Sequence, residues 1–257
     1  RRKLMLQEQT IGKLYSLKLS GMAEAFKEQI RRPDMSSLTF DERFGFLVDR
    51  EWDVRQNRKL KRRLTMAKLK QQACVEDIDF KTERGIDKSV LLSLFECNWI
   101  KQNQNVIITG PTGAGKTYIA CALANKACRM EYASLYYRVS RLLQEIEISK
   151  GDGSYSSLMR RIERVNLLVL DDWGISSFSE EDGRNLFDVL EDRNLKGSVI
   201  IVSQIPIENW YDMISSPTIA DAILDRLVHN SYKIELKGES MRRKKINSDI
   251  DSIRPVL

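Results

Sequence analysis

The hydrophobic pattern of residues 106–236 switches between continuous apolar runs and apolar positions that recur every three or four residues. The runs predict strands at 106–109, 134–139, 167–170, 198–202 and 232–236. The helical spacing predicts helices at 116–130, 140–149, 156–164 and 180–195, with a loop at 150–155. Strands that alternate with helices indicate an α/β fold in which a parallel sheet carries helices on both faces.

The first 72 residues keep a helical spacing and contain no segment that alternates like a strand. The sequence Arg32-Pro33-Asp34 interrupts the pattern. Thr39 and Glu42 then form a capping box, which predicts the start of a new helix. The apolar face of that helix is predicted to consist of Phe44, Leu47, Val48 and Trp52.

The segment 73–87 loses the helical period and carries a glycine, so we interpret it as a connector. A short helix at 88–96 is predicted to lead into the first strand. The chain is therefore expected to have a small all-helical domain at 1–75 and a sheet-containing domain at 76–257.

Charge divides the chain in a similar way, with a balance of +9 over residues 1–75 and −3 over residues 76–257. The segment 55–70 is predicted to be a helix that carries eight basic and no acidic residues. Such a helix favours an acidic partner, and we expect double-stranded DNA, bound through its phosphates without reading of sequence. The alternative is a cationic face that only aids solubility. The predicted DNA-binding residues are Arg55, Arg58, Lys59, Lys61, Arg62, Arg63, Lys68 and Lys70.

Other features of the composition argue against several classes of protein. The sequence has no run of 18 consecutive apolar residues, so we expect no membrane partner. The first residues lack the apolar core of a signal peptide. The four cysteines have no CxxC spacing and there is one histidine, so we expect reduced thiols in a cytoplasmic protein and no zinc site. The four tryptophans are expected to be packing residues.

The strongest chemical motif is the phosphate-binding loop G-x-x-x-x-G-K-[ST], which follows the predicted strand 106–109 and opens a predicted helix. Its glycines allow backbone N–H groups to approach a phosphate closely. Lys116 supplies a charge for the β- and γ-phosphates, and the Thr117 hydroxyl is a ligand for Mg²⁺. The predicted nucleotide-binding residues are Gly110, Pro111, Thr112, Gly113, Ala114, Gly115, Lys116 and Thr117.

A second motif, Asp171-Asp172, ends the predicted strand 167–170. Asp171 is predicted to hold Mg²⁺ beside Thr117, and Asp172 to orient or deprotonate the attacking water. These roles make the chain a candidate Mg²⁺-dependent ATPase. The alternative is that the two acids only end a strand at the surface.

Four further residues are open to two interpretations each. Ser203 and Gln204 end the predicted strand 198–202, where either side chain can sense a γ-phosphate or simply form a turn. Arg226 can complete a neighbouring subunit's site, although its spacing alone favours an ordinary surface arginine. Arg242 belongs to a basic run that either contacts phosphates or is solvated.

Taken together, these motifs resemble the IstB-type transposition helper ATPases. The resemblance extends over nearly the whole chain, and it is most specific at 217–229 and 235–242. The matching stretches are Arg55–Leu69, Phe80 with Arg84–Asp87, Gly110–Thr117, Leu168–Gly174, Pro217–His229 and Glu235–Arg242.

This resemblance implies an AAA+ ATPase related to the DnaC-type helicase loaders. It implies a protein that assembles with ATP into a ring or helical homo-oligomer on DNA, and recruits and stimulates a cognate transposase. By motif position, Arg226 is implied to be the arginine finger, Arg242 the second sensor, and Ser203 or Gln204 the first sensor.

One residue departs from the wider AAA+ pattern, since Asp172 stands where a glutamate is usual. Because its side chain is one methylene shorter, we expect slow basal hydrolysis that DNA, neighbouring subunits or transposase stimulate. Two other functions remain open: a loader of a replicative helicase, and a DNA scaffold that binds ATP but does not depend on hydrolysis.

Overall fold

A computed structural model describes residues 2–80 and 85–238. Contacts between Cα atoms group the chain into two compact units, Arg1–Arg62 and Arg63–Leu257. The division falls inside a long helix, Phe40–Ala67, and therefore earlier than the domain boundary predicted after residue 75. That boundary stays a prediction.

The first unit is built from helices, as the spacing predicts. Its elements are α1 (Arg2–Ser16), α2 (Ser20–Arg31), a 3₁₀ turn (Pro33–Ser37) and the beginning of α3 (Phe40–Ala67). The predicted capping box starts α3: Glu42 Oε2 accepts from the Thr39 N–H at 2.7 Å, and Thr39 Oγ1 accepts from the Glu42 N–H at 3.3 Å.

The helices α2 and α3 are in close contact where Gly21 meets Glu51. A Cβ atom on Gly21 would lie 2.8 Å from the Cα of Glu51. The buried Glu51 carboxylate accepts from the Gly21 and Met22 N–H groups at 2.7 and 3.2 Å, so it satisfies donors that the first turn of α2 leaves open. The Arg55 guanidinium, at 2.7 Å, holds the pKa of Glu51 below its usual value.

The predicted apolar face of α3 is not the face that is buried. Phe44, Val48 and Trp52 are exposed, Trp52 to 63%, whereas Leu47 is half-buried and Glu51 is buried. The expectation that Trp52 is a packing residue was therefore wrong. Sequence spacing failed because the face that packs is selected by the Gly21–Glu51 crossing and includes a carboxylate.

The second unit contains a five-stranded sheet with the order β2-β3-β4-β1-β5, in which every neighbouring pair is parallel. The strands are β1 (Asn105–Thr109), β2 (Ser134–Arg138), β3 (Leu167–Trp173), β4 (Ser198–Ser203) and β5 (Ser231–Glu235). The helices are α4 (Lys88–Phe95), α5 (Asn98–Lys101), α6 (Lys116–Arg129), α7 (Val139–Asp152), α8 (Tyr155–Glu163), α9 (Glu180–Arg193) and α10 (Pro217–Val228). Short 3₁₀ turns occur at Val75–Asp77, Ile207–Asn209 and Tyr211–Met213. The predicted α/β fold class is confirmed.

Alternate residues of each central strand enter two different cores. In β3, Leu167 and Val169 pack with α4, α5 and α6, whereas Leu168 and Leu170 pack with α7 to α10. Because a strand projects successive side chains to opposite faces, a strand covered on both sides is apolar at every position. This is why the strands were visible in the sequence as continuous runs.

Several predicted boundaries differ from the structure, and three of these differences affect segments named above. The helix α7 continues to Asp152, so most of the loop predicted at 150–155 is helical and Gly153 ends the helix in the left-handed region. The basic helix α3 ends at Ala67, not at residue 70. The strand β3 continues to Trp173 and so includes Asp171 and Asp172. None of the helices in residues 2–80 and 85–238 is long and apolar enough to cross a membrane.

A buried arginine joins several elements of the second unit. The Arg193 side chain is 1% exposed and donates to the carbonyls of Ile162 and Ser198 at 2.6 and 2.8 Å. Further bonds go to the carbonyls of Val165 and Asn166. Burial lowers the pKa of Arg193 to about 10. Its partners belong to α8, to β4 and to the segment before β3, so one guanidinium connects three parts of the chain.

We expect Arg193→Met to destabilise this unit by about 3 kcal/mol, because several buried carbonyls would lose their donor. Urea unfolding of the purified chain measures the change. The matched control is Arg184→Met on the same helix, where the arginine pairs with an exposed Glu180. The control should cost less than about 1 kcal/mol. Equal losses in the two variants would contradict a special role for Arg193.

Candidate functional site

The phosphate loop joins the end of β1 to the start of α6, as the motif predicts. Gly110, Gly113 and Gly115 have φ values of 140°, 84° and 98°. These values lie in a region that residues with a Cβ atom rarely adopt. At Gly110 the need is also steric, because a Cβ atom there would lie 2.3 Å from the Leu236 carbonyl oxygen. The first glycine thus lets the end of β5 pack against the loop.

Lys116 is buried at the first position of α6. Its Nζ donates to the carbonyls of Gly110 and Pro111 at 2.7 and 2.8 Å, so the ammonium group lies under the loop where phosphates would bind. Burial lowers the pKa of Lys116, and the charges of Asp171 and Asp172 oppose that shift.

Asp171 is fully buried at the carboxyl end of β3 and connects to three other elements. The Thr117 hydroxyl at the start of α6 donates to its Oδ2 at 3.0 Å, as the two predicted Mg²⁺ ligands require. The Tyr136 hydroxyl of β2 donates to the same oxygen at 2.5 Å, and Lys70 Nζ lies 3.2 Å from it. Burial, then the bond to Asp171, raises the pKa of Tyr136, which keeps the hydroxyl a donor.

These groups fit a magnesium ion bound together with a nucleotide. A carboxylate and a hydroxyl are the oxygen ligands that Mg²⁺ prefers. Within the described residues, no cluster of three or more His, Cys, Asp and Glu side chains is placed to hold a metal. A metal beside Asp171 and Thr117 would therefore take its remaining ligands from phosphate oxygens and water.

Asp172 lies next to this group in an unusual backbone conformation. Its φ is 64°, and the pairing of β3 with β4 is irregular between Leu170 and Trp173. The carboxylate lies 3.4 Å from Arg138 Nε and 3.9 Å from Lys70 Nζ. It also lines an open cleft of about 630 Å³, so water has access to it.

The two candidate first sensors differ in what they contact. Ser203 is buried, donates to the Trp173 carbonyl at 2.9 Å and accepts from the Ile205 N–H at 3.0 Å. Gln204 is exposed, and its Oε1 accepts from the Thr112 hydroxyl of the phosphate loop at 2.5 Å. The structure therefore brings Gln204 to the loop and uses Ser203 within the turn after β4.

Arg226 lies near the end of α10. It is at the edge of the sheet where the strands begin, whereas the phosphate loop is at the edge where the strands end. Its carbonyl accepts from the Asn105 side chain at 3.1 Å, where β1 begins, whereas the loop follows the end of β1. The guanidinium donates to Glu191 and to the Ala222 carbonyl, and its side chain is 21% exposed. Five residues of strand span roughly 16 Å, so Arg226 is far from the loop of its own chain.

The predicted DNA-binding residues are divided by the end of α3. Arg55, Arg58, Lys59, Lys61, Arg62 and Arg63 lie on α3, and Lys68 and Lys70 follow it. Arg55 is paired with Glu51, and Arg63 with Glu131 at 3.1 Å. Lys70 is paired with Asp171 and so belongs to the nucleotide site in this structure. Arg242 lies outside the described residues.

Sequence reasoning missed Tyr136, Arg138 and the placement of Lys70. The order of the sheet puts β2 beside β3, with Tyr136 opposite Val169 and Arg138 opposite Asp171. Strand spacing along the chain does not reveal which strands are neighbours. The available indication was a tyrosine within an otherwise buried strand, since a buried hydroxyl needs a hydrogen-bond partner.

Solved structures share the fold of a large part of this chain. DnaI aligns with a TM-score of 0.56 and 22% identity, covering 65% of this chain and 92% of that one. The replication initiator DnaA, solved with AMPPCP and single-stranded DNA, aligns with a TM-score of 0.58 and 20% identity, covering 74% of this chain and 58% of that one. At these identities the likeness shows the AAA+ fold.

Curated relatives are similar over most of their length. The insertion sequence ATP-binding protein y4pL of Sinorhizobium fredii is 46% identical over 239 residues, covering 93% of this chain and 98% of that protein. The ATP-binding protein of insertion sequence IS1162 from Pseudomonas fluorescens is 42% identical, covering 79% of this chain and 88% of that protein. The family model described as "IstB-like ATP binding protein" matches residues 12–248. The chain therefore belongs to the IstB-like ATP-binding protein family.

Proposed function

We propose that this protein is an ATP-hydrolysing, DNA-binding helper of a transposase, and that ATP controls its assembly on DNA. The observation that carries the proposal is the distance between the phosphate loop and Arg226, which would together form one catalytic site. The phosphate loop, Thr117 and Asp171 lie at one edge of the sheet, and Arg226 lies at the other. Such a site is completed only when a second copy of the chain supplies Arg226.

Each side chain at the loop edge has a role that its position supports. The phosphate loop and Lys116 would hold the phosphates of ATP, and Gln204, already bonded to Thr112, would respond to the γ-phosphate. Thr117 and Asp171 would hold Mg²⁺, which supplies charge neutralisation on the β- and γ-phosphates. Asp172, which solvent can reach, would orient the attacking water.

Arg226 would act on the nucleotide of a neighbouring subunit. In the single chain its guanidinium is occupied by Glu191 and lies over the Phe187 ring, 4.8 Å from the ring centroid. Exchange of the exposed Glu191 for a phosphate group would stabilise the assembled form. Bound ATP would then favour a ring or helical oligomer, and hydrolysis would loosen it.

The DNA-binding surface is proposed to include the exposed basic residues of α3. In an oligomer these helices would be repeated along the DNA, so many weak phosphate contacts would add up through multivalency. The insertion sequence context of the relatives favours a transposase as the protein partner. Pull-down with a transposase and with a replicative helicase would separate this function from that of a helicase loader.

The first prediction concerns hydrolysis. Asp172→Asn should bind ATP within about threefold of wild type while DNA-stimulated hydrolysis falls about 100-fold, since the general base is lost. Asparagine tolerates the left-handed backbone at this position, so the fold should be kept. Nucleotide titration and phosphate release measure the two effects. Full transposition activity in this variant would support the scaffold function instead.

The second prediction concerns the arginine finger. Arg226→Ala should keep ATP binding but lose at least about 1000-fold in stimulated hydrolysis, together with ATP-dependent oligomerisation. Mixing this variant with Lys116→Ala should restore part of the hydrolysis, because one chain keeps the loop and the other keeps the finger. Arg184→Ala, an exposed arginine of α9, is the matched control. No recovery in the mixture would argue that Arg226 does not act between subunits.

The third prediction concerns DNA. The double variant Lys59→Gln, Arg62→Gln should weaken binding to all duplex sequences alike, and should reduce the slope of log K against log salt by about 2. The control is Lys13→Gln, Arg31→Gln, which removes the same charge from exposed positions of α1 and α2. Filter binding across a salt series gives both slopes. Equal slopes for the two variants would exclude α3 as the DNA-binding surface.

Electron microscopy with duplex DNA offers a direct view of the proposed assembly. An ordered ring or filament should form with ATP and not with ADP. Assembly that is the same with both nucleotides would remove ATP as its control.

A further inference from the structure

Lys70 is a basic side chain whose place the nucleotide-binding motifs do not explain. It follows the end of α3 by three residues, and α3 is stopped by Lys68, which has a φ of 50°. The Lys70 Nζ lies 3.2 Å from Asp171 Oδ2 and 3.9 Å from Asp172 Oδ2. It thus lies beside both carboxylates to which the nucleotide chemistry has been assigned.

The contact between Lys70 and Asp171 is important because Asp171 is buried. The Asp171 side chain is 1% exposed, and a buried carboxylate is costly unless charge and hydrogen bonds compensate it. Tyr136 and Thr117 supply hydrogen bonds from two directions, and Lys70 supplies a full positive charge. A magnesium ion at Asp171 and Thr117 would bring two positive charges to the same oxygens.

The segment that carries Lys70 is held by packing as well as by charge. Leu69 packs against the core that includes α6, and Ala73 is buried within that core. The segment 68–74 therefore runs along α6 with Lys70 reaching the carboxylates. Loss of the Lys70 contact would remove one attachment of the segment 68–74, which follows the basic helix.

We propose that Lys70 competes with the metal for Asp171 and couples nucleotide binding to the segment 68–74. Without nucleotide, Lys70 neutralises Asp171 and holds this segment against α6. Binding of metal and nucleotide would displace the ammonium group, which would free it to pair with a phosphate of DNA. Because such coupling is reciprocal, a DNA phosphate that captures Lys70 would in turn strengthen metal-nucleotide binding. This inference rests on the proposed binding of ATP and Mg²⁺.

The test compares Lys70→Gln with Lys101→Gln in the full chain. Lys101 is an exposed cation of α5 in the same unit, so its variant controls for the change in charge. Binding of a fluorescent, non-hydrolysable ATP analogue is measured with Mg²⁺ and with EDTA. In Lys70→Gln the affinity with Mg²⁺ divided by that with EDTA should rise about tenfold over wild type. In Lys101→Gln this ratio should stay within about twofold of wild type.

Hydrogen exchange supplies a readout that does not depend on catalysis. In wild type, exchange of the amides in 68–74 should rise when the analogue and Mg²⁺ are added. In Lys70→Gln it should already be high without them. If Lys70→Gln does not fold, Lys70→Met gives the same comparison with a side chain that packs.

An unchanged affinity ratio in Lys70→Gln, or unchanged exchange in 68–74, would overturn this inference and leave the proposed function in place. Failure of the wild-type chain to bind the analogue with Mg²⁺ would overturn both. The two failures are distinguished because the first occurs with normal binding by wild type.

Discussion

The buried charge of Asp171 is the constraint on which the nucleotide site depends. A carboxylate with no solvent contact must be compensated from within the protein, and its partners come from separate parts of the chain. Thr117 comes from the start of α6, Tyr136 from β2 and Lys70 from the segment 68–74. The partners of this one carboxylate therefore align the phosphate loop, the neighbouring strand and the segment 68–74 around the place where chemistry is proposed.

The parallel sheet decides which parts of the site one chain can supply. All strands run in the same direction, so every loop that follows a strand lies at one edge, where the phosphate loop, Asp172 and Gln204 are found. Arg226 precedes β5 and lies near the beginning of β1, at the other edge. A single copy thus presents the phosphate loop at one edge and the Arg226 guanidinium at the other, which is why the proposed catalytic site requires a second copy.

Predictions from the sequence were accurate where the physical effect acts within one short segment, and they failed where it acts between distant segments. The strands were predictable because burial on both faces requires an unbroken apolar run, and the phosphate loop because close approach to phosphate requires glycine at set positions. The buried face of α3 was not predictable, because Trp52 is apolar yet exposed while Glu51 is charged yet buried. Glu51 is buried because the N–H groups of Gly21 and Met22 need an acceptor there.

The sequence by itself determined the class of fold, the phosphate loop, the Asp171-Asp172 pair and the resemblance to a family, since each depends on residues close together in the chain. The tertiary structure decided which polar side chains meet. Gln204 reaches the loop and Ser203 does not, Tyr136 bonds Asp171, and Lys70 lies at the carboxylates although its run of charge suggested DNA. These contacts depend on the order of strands and on the path of the segment 68–74, and neither leaves a periodic pattern in the sequence because both arise from packing between distant segments.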